Sequence, residues 1–158
     1  MAKVILICGK IASGKTFYCK RLLESCPAVR LSVDELTARI GKLGELHDTV
    51  SAAAQSYLLE RAADIVRAGA DALLDWGFWS QSSRKEASRF FQERAIPTEW
   101  HYIHVSEARW RENIQKRNAA VLAGETSDYY VDQGLLQKLL DAFEEPEREE
   151  MDVWFELG

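Results

Sequence analysis

The clearest chemistry in the sequence lies in a short glycine-containing segment near the amino end, GKIASGKT at residues 9–16. Its Gly-x-x-x-x-Gly-Lys-Thr spacing is typical of loops whose successive backbone N–H groups converge on a phosphate. The glycines allow the unusual backbone dihedrals that this arrangement needs, and the helix that follows adds its positive dipole end. The sequence therefore predicts a phosphate-binding loop, formed by Gly9, Lys10, Ile11, Ala12, Ser13, Gly14, Lys15 and Thr16.

Two side chains of this segment have defined roles in such loops: Lys15 reaches the β- and γ-phosphates, and the Thr16 hydroxyl binds Mg²⁺. The magnesium water shell also needs a carboxylate. Asp75 ends the apolar run ALLD at the carboxyl end of a predicted strand, where open α/β sheets place their sites. We therefore predict Thr16 and Asp75 as the metal residues. The alternatives are an unliganded tight turn for the loop and a turn or capping aspartate for Asp75.

A second carboxylate, Asp34 in LSVDEL, follows the second predicted strand. From that position a carboxylate can face the γ-phosphate, orient an attacking hydroxyl and accept its proton. The alternative interpretation is an N-cap for the helix that begins with ELTARI, and both roles are compatible. Asp34 is thus the predicted catalytic base.

Arginines complete the predicted site, because phosphoryl transfer spreads negative charge over oxygens that a guanidinium fork matches. RWRENIQKRN places Arg109, Arg111 and Arg117 on one predicted helix. Arg117 is preferred as catalytic because it lies beside the irregular stretch 121–131 and can move with it. Arg84, on the helix after DWGFW, can contact the acceptor or a phosphate. The alternative for each arginine is a solvated basic helix face.

The elements that must position these residues alternate along the chain. Apolar runs predict strands at residues 4–8, 29–32, 70–75, 99–105 and 152–157. Helical spacing predicts helices at residues 15–25, 35–40, 50–68, 82–95, 106–120 and 132–144. This alternation predicts βαβ units, and hence a mainly parallel sheet covered by helices on both sides.

Composition limits the class of protein further. A chain of 158 residues predicts one domain, 1–158, and its 47% apolar and 28% charged residues are ordinary for a soluble globular protein. Acidic residues outnumber basic ones 25 to 20, which argues against a general nucleic-acid binder. The three cysteines have no C-x-x-C spacing, so a disulfide framework and a zinc site are not expected, and a cytoplasmic location fits better. No apolar run approaches the ~18 residues of a membrane span.

Four segments together, GKIASGKT, LSVDEL, ALLDWGFWSQSSRKEASRF and RWRENIQKRN, resemble the small P-loop kinase-like proteins of the AAA-type ATP-binding group. Phage-type polynucleotide kinase, chloramphenicol phosphotransferase and zeta-toxin kinases are their relatives. The resemblance covers nearly the whole chain. It implies a three-layer P-loop NTPase fold of nucleoside-kinase type, with a mainly parallel five-stranded sheet flanked by helices and a lid around 109–131.

The resemblance also implies ATP and Mg²⁺ as cofactors and transfer of the γ-phosphate to a hydroxyl. Lys15 and Thr16 match the phosphate and Mg²⁺ positions, Asp34 the base, Asp75 the acidic strand end and Arg117 the lid arginine. Polynucleotide kinases carry an arginine three residues after the base. The corresponding residue here is Thr37, which argues against binding of a nucleic-acid 3′-phosphate.

The acceptor itself is not specified by the sequence. An antibiotic, a sugar, a nucleoside and a nucleic-acid 5′ end all carry a suitable hydroxyl, and the acidic net charge disfavours only the last. Two other classes compete with a kinase: a P-loop ATPase that uses water, and a regulatory module that only binds nucleotide. A switch or motor should have a second domain or a water-orienting glutamate after ALLD, whereas Trp76 follows that segment. A kinase acting on a small-molecule or nucleotide acceptor is therefore the leading hypothesis.

Overall fold

The computed structural model describes residues 1–40, 47–126 and 130–157, and within these ranges strands alternate with helices. The strands are β1 (Val4–Cys8), β2 (Ala28–Ser32), β3 (Asp71–Asp75), β4 (Thr98–Val105) and β5 (Val153–Leu157). The helices are α1 (Lys15–Ser25), α2 (Val33–Ile40), α3 (His47–Arg67), α4 (Gln81–Gln92), α5 (Glu107–Leu122) and α6 (Gln133–Ala142), and a 3₁₀ turn covers Arg148–Glu150.

The described strands form one sheet in the order β2-β3-β1-β4-β5, and every neighbouring pair is parallel. Parallel pairing places all the carboxyl ends at one edge. Asp75, the last residue of β3, is opposite Ser32, the last residue of β2, and Cys8 of β1 is opposite Tyr102 of β4. The segments that follow β1, β2, β3 and β4 therefore begin at the same edge of the sheet. The predicted parallel α/β fold is confirmed.

Helices cover both faces of the sheet, which explains why β1 is a continuous apolar run with every residue buried. Leu6 and Leu74 pack on the α3–α4 side with residues such as Phe91, whereas Ile5 and Leu73 pack on the α1 side. Complete burial of a side chain of this size contributes about 1.5–3 kcal/mol. These two apolar layers hold the central strands, and with them the carboxyl-end edge, in place.

A third apolar cluster joins the pair α5–α6 to the segment after β1. Ile11 from that segment packs with Val105, Trp110, Ile114 and Val131. The helix pair is therefore fixed against the predicted phosphate-binding loop. The predicted lid, 109–131, corresponds to most of α5 and the turn after it, and residues 127–129 of that range lie outside the described residues.

Element boundaries agree with the predictions to within a few residues, but one local assignment is wrong. Asp34 is not an N-cap: α2 begins at Val33, and the Ser32 hydroxyl accepts a hydrogen bond from the Glu35 N–H at 3.2 Å. The reason is that β2 runs directly into α2, so the capping position falls on the last strand residue. Among the described helices, none is long and apolar enough to cross a membrane.

Candidate functional site

The first turn of α1 lacks the side-chain cap that other helices in this protein have. Ser80, Ser106 and Asp132 each accept a hydrogen bond from a first-turn N–H of α4, α5 and α6. The residue before α1 is Gly14, which has a left-handed φ of 94° and provides no side-chain acceptor. Since the first N–H groups of a helix have no partner within it, those of α1 are available to an anion.

Two carbonyl groups of the preceding loop are bonded to α5. Trp110 Nε1 donates to the Ile11 carbonyl at 2.7 Å, and Asn113 Nδ2 donates to the Ala12 carbonyl at 2.9 Å. Both donors lie on α5, three residues apart, so they occupy one face of that helix. Because these two carbonyls face α5, they do not compete with the N–H groups that phosphate binding requires.

The Lys15 ammonium lies inside the loop. It donates to the Gly9 carbonyl at 3.1 Å and the Lys10 carbonyl at 2.9 Å. Burial lowers the pKa of Lys15, and the negative charges of Asp75 and then Asp34 oppose that shift. Both carboxylates that the sequence singled out therefore act electrostatically on this ammonium.

The loop interior is too narrow for further side chains. A Cβ added at Gly9 would lie 2.7 Å from Ser13 Oγ and 3.2 Å from Lys15 Cγ. Ser13 is only 1% exposed, and its hydroxyl has no hydrogen-bond partner among the described residues. A buried hydroxyl without a partner is costly, and a phosphate oxygen would satisfy it. The loop thus fits the triphosphate that the sequence predicted.

Asp75 is 6% exposed and is held by an arginine that sequence reasoning did not identify. Arg30 donates from Nε at 2.8 Å and lies with Nη2 at 2.6 Å, both to Asp75 Oδ2. Thr16, the other predicted metal residue, is exposed beside Lys15. Among the described residues, no group of three or more histidines, cysteines or acidic residues is arranged to hold a metal. A metal ion here would therefore depend on Thr16, Asp75 and the phosphates of a nucleotide.

The remaining predicted residues take different positions. Asp34 is exposed in the first turn of α2. Arg84 is buried, with Nη1 donating to the Phe78 carbonyl at 2.8 Å and Nε to Glu150 Oε1 at 3.1 Å. Arg117 is half-buried on α5.

Arg84 lies close to the end of β1. Its Nη1 and the Cys8 thiol both contact the Phe78 carbonyl. Burial raises the pKa of the Cys8 thiol to about 12, and the charges of Arg84 and Lys15 both oppose this shift. At 2% exposure, Arg84 is buried.

The aromatic segment after Asp75 forms a turn whose rings pack against the apolar clusters. Trp76 and Phe78 are buried, with ring centroids 4.7 Å apart, and Trp79 is half-buried against the α5–α6 cluster. Gly77 is required because an added Cβ would lie 2.0 Å from Trp79 Nε1. The Gly77 carbonyl also accepts from the Gly9 N–H at 3.2 Å, so this turn supports the phosphate-binding loop.

Sequence reasoning missed the residues that support the site, namely Arg30, Trp110 and Asn113. Trp110 and Asn113 carried one usable signal, a large aromatic residue and an amide on the same helical face. Arg30 carried none that could be read alone, because its role depends on how β2 and β3 pair.

The fold and the site together define this chain as a small P-loop kinase-like protein. A family model described as an AAA domain matches residues 4–146, and the chain belongs to that family. No curated protein matches the sequence significantly.

Solved structures with the same fold are distant in sequence. A sugar kinase from Janibacter sp. HTCC2649 is 15% identical, with a TM-score of 0.68, and the match covers 99% of this chain and 86% of that one. A gluconokinase from Sinorhizobium meliloti 1021 is 18% identical, with a TM-score of 0.70 and coverages of 99% and 83%. The APS kinase CysC from Mycobacterium tuberculosis, in complex with AMPPNP and APS, is 17% identical, with a TM-score of 0.66 and coverages of 98% and 88%.

Proposed function

We propose that this protein is a kinase that transfers the γ-phosphate of ATP to a hydroxyl of a small molecule or nucleotide. The observation that carries the proposal is the uncapped amino end of α1, joined to a loop whose Ile11 and Ala12 carbonyls are bonded to α5. The reaction class is proposed by analogy with the kinases that share this fold.

Nucleotide binding changes the partners of one side chain above all. Lys15 exchanges the Gly9 and Lys10 carbonyls for phosphate oxygens, so its buried ammonium gains anionic acceptors in place of neutral ones. The Ser13 hydroxyl gains the acceptor that it lacks, and the N–H groups of residues 14–16 complete the site. Thr16 and Asp75 would hold Mg²⁺, which supplies positive charge to the β- and γ-phosphates when bound.

In the chemical step one proton is transferred, and one bond to phosphorus forms as another breaks. Asp34 takes the proton of the acceptor hydroxyl as its oxygen forms a bond to the γ-phosphorus. The bond between that phosphorus and the bridging oxygen breaks, and ADP leaves with the bonding electron pair. Arg117 stabilises charge on the transferred group from α5. Arg84 acts indirectly, because its hydrogen bond to the Phe78 carbonyl stabilises the turn that supports the loop.

The acceptor class is open to a direct test, and polyhydroxylated compounds come first because the sugar kinase and the gluconokinase share the fold. Purified protein is incubated with γ-labelled ATP and Mg²⁺ against panels of sugars, sugar acids, nucleosides, antibiotics and a 5′-hydroxyl oligonucleotide. Transfer of label to one class, with ADP formed in equal amount, is the expected result.

Two substitutions separate binding from transfer. Asp34→Asn should keep ATP affinity and lose most transfer, since general base catalysis contributes about 10²–10⁴-fold. Asp64→Asn, an exposed aspartate on α3 paired with Arg61, is the matched control and should change neither. ADP formation that no acceptor stimulates, and that persists in Asp34→Asn, would identify a P-loop ATPase instead. Nucleotide binding without any turnover would identify a regulatory module.

A further inference from the structure

Arg30 makes charged contacts with both elements from which the predicted carboxylates of the site project. It is paired with Asp75 at the end of β3, and its Nη1 lies 3.3 Å from Glu35 Oε2 on α2, next to Asp34. We propose that Arg30 is a positioning residue, an inference that rests on the proposed function. Arg30 orients the Asp75 carboxylate toward the Mg²⁺-nucleotide complex, and it also links Asp75 to α2, the helix that carries Asp34.

The geometry of the Asp75 contact is directional. Both guanidinium contacts, from Nε and from Nη2, go to Oδ2, so the arginine holds one carboxylate oxygen and does not engage the other. Because Leu73, two residues before Asp75, is opposite Arg30 across β2 and β3, the arginine side chain runs forward to the carboxyl-end edge of the sheet. A carboxylate held through one oxygen by two guanidinium nitrogens is fixed in orientation, and the weak thiol donor of Cys19 is a further side-chain contact of Asp75. Residues that orient a metal-binding carboxylate act in this way.

Arg30 also compensates the negative charge of the buried Asp75 carboxylate. Asp75 is almost completely buried, and in the ligand-free structure it interacts with two cations, Arg30 and the ammonium of Lys15. When Lys15 turns to the phosphates of a nucleotide, Arg30 remains to compensate the carboxylate. A buried carboxylate left without a cation would be strongly disfavoured. Arg30 thus allows Lys15 to change partners.

Through its contact with α2, Arg30 also influences the position of Asp34, the residue proposed to face the acceptor hydroxyl. The Arg30–Glu35 contact is partly exposed and weak by itself. It acts together with the Ser32 hydroxyl, which accepts from the Glu35 N–H and fixes the first turn of α2. Asp34 lies in that turn, so its position relative to Asp75 is set through Arg30 and Ser32.

The test measures how much Mg²⁺ strengthens nucleotide binding, which needs no acceptor and no turnover. Titration calorimetry gives the ADP dissociation constant with and without Mg²⁺ for the wild type, Arg30→Gln and Arg30→Lys. In Arg30→Gln we expect the Mg²⁺-dependent gain in affinity to fall by about 10- to 100-fold, with Mg²⁺-free ADP affinity little changed. Arg30→Lys keeps the charge without the two-pronged contact and should restore part of the gain. Arg67→Gln, an exposed arginine at the end of α3, is the matched control and should match the wild type.

A double substitution shows whether Arg30 acts through Asp75. In an Asp75→Asn background, Arg30→Gln should cause no further loss of the Mg²⁺-dependent gain. Circular dichroism melts verify that each variant is folded, and Arg30→Lys provides the comparison if Arg30→Gln weakens folding. The inference is overturned if Arg30→Gln keeps the wild-type gain, or weakens ADP equally with and without Mg²⁺. A wild-type protein that binds no ADP at all would instead contradict the proposed function, on which this inference rests.

Discussion

At the scale of single residues, Lys15 shows what it costs the fold to hold the predicted phosphate-binding side chain in place. Its ammonium is enclosed by the loop, where two carbonyl groups and the attraction of nearby carboxylates only partly replace water. The lowered pKa of Lys15 expresses that cost. If Lys15 binds a phosphate as predicted, part of the desolvation of its ammonium already belongs to the folded protein.

Replacing Lys15 by methionine should therefore stabilise the ligand-free protein at neutral pH and abolish nucleotide binding. The folded-state pKa lies below the ordinary value of 10.5, so the unfolded chain binds the proton more tightly. Consequently, the wild type should gain stability relative to Lys15→Met as the pH rises through the folded-state pKa toward 10.5. Urea unfolding of both proteins at pH 7.5 and pH 9.5 measures the difference. A stability difference that is independent of pH would show that the charge of Lys15 does not destabilise the fold.

The residues predicted from the sequence and those that it missed differ in what defines them. Residues 9–16 form a local motif, so their types and spacing could be read from the sequence alone. Asp34 and Asp75 were predicted because strand ends can be located from apolar runs, and their roles stay predictions. Arg30 depends on strand pairing, which local spacing does not encode. The spacing of Trp110 and Asn113 indicates a shared helical face but not the distant segment that this face contacts.

At the scale of elements, α5, which makes up most of the predicted lid, also supports the phosphate-binding loop. Trp110 and Asn113 near its amino end hold the carbonyls of the phosphate-binding loop, whereas Asn118, farther along, bonds the backbone of Val131 at both its N–H and its carbonyl. The first half of α5 therefore supports the phosphate-binding loop, and its second half holds Val131 in the segment that leads into α6. Helical periodicity predicted that α5 exists, but not which partner each of its faces would contact.

Two asparagine substitutions distinguish these halves. Asn113→Ala leaves the Ala12 carbonyl without its donor, so we expect the free energy of unfolding to fall by about 1–3 kcal/mol, the usual cost of an unsatisfied polar group. We also expect nucleotide affinity to fall, because the loop is held less firmly. Asn118→Ala should have a smaller effect on affinity and should increase protease cleavage between residues 123 and 132. Calorimetry and limited proteolysis of both variants provide the comparison. Equal losses of affinity in the two variants would contradict a separate role for the first half of α5.

At the scale of the whole molecule, the strand order brings the phosphate-binding loop, Asp75 and the starts of α2 and α5 to one edge. The central strand β1 leads into the phosphate-binding loop, while β3 and β2 on one side supply Asp75 and the start of α2. On the other side, β4 leads into α5. The overall fold was predictable because alternating strands and helices leave few topologies, whereas the exact contacts across the edge required the structure.

Because the loop and the fold depend on one another, nucleotide should stabilise the entire protein. At a free ADP concentration about 100 times the dissociation constant, linkage gives about 2.7 kcal/mol, or roughly 5–10 °C in Tm for a chain of this size. A thermal-shift titration with Mg²⁺-ADP measures it, with Lys15→Met as the control that should not respond. An unchanged Tm at saturating nucleotide would show that the loop does not bind the ligand.

The contact between Gly14 and β5 has a consequence for synthesis of the protein. A Cβ at Gly14 would lie 2.7 Å from Leu157 Cδ2, so the glycine at the start of α1 packs against a strand 143 positions later, that is, 157 minus 14. A ribosome exposes the glycine long before the leucine. Until β5 has emerged, the start of α1 lacks its packing against Leu157, and nascent chains without β5 should hold nucleotide more weakly than the folded protein.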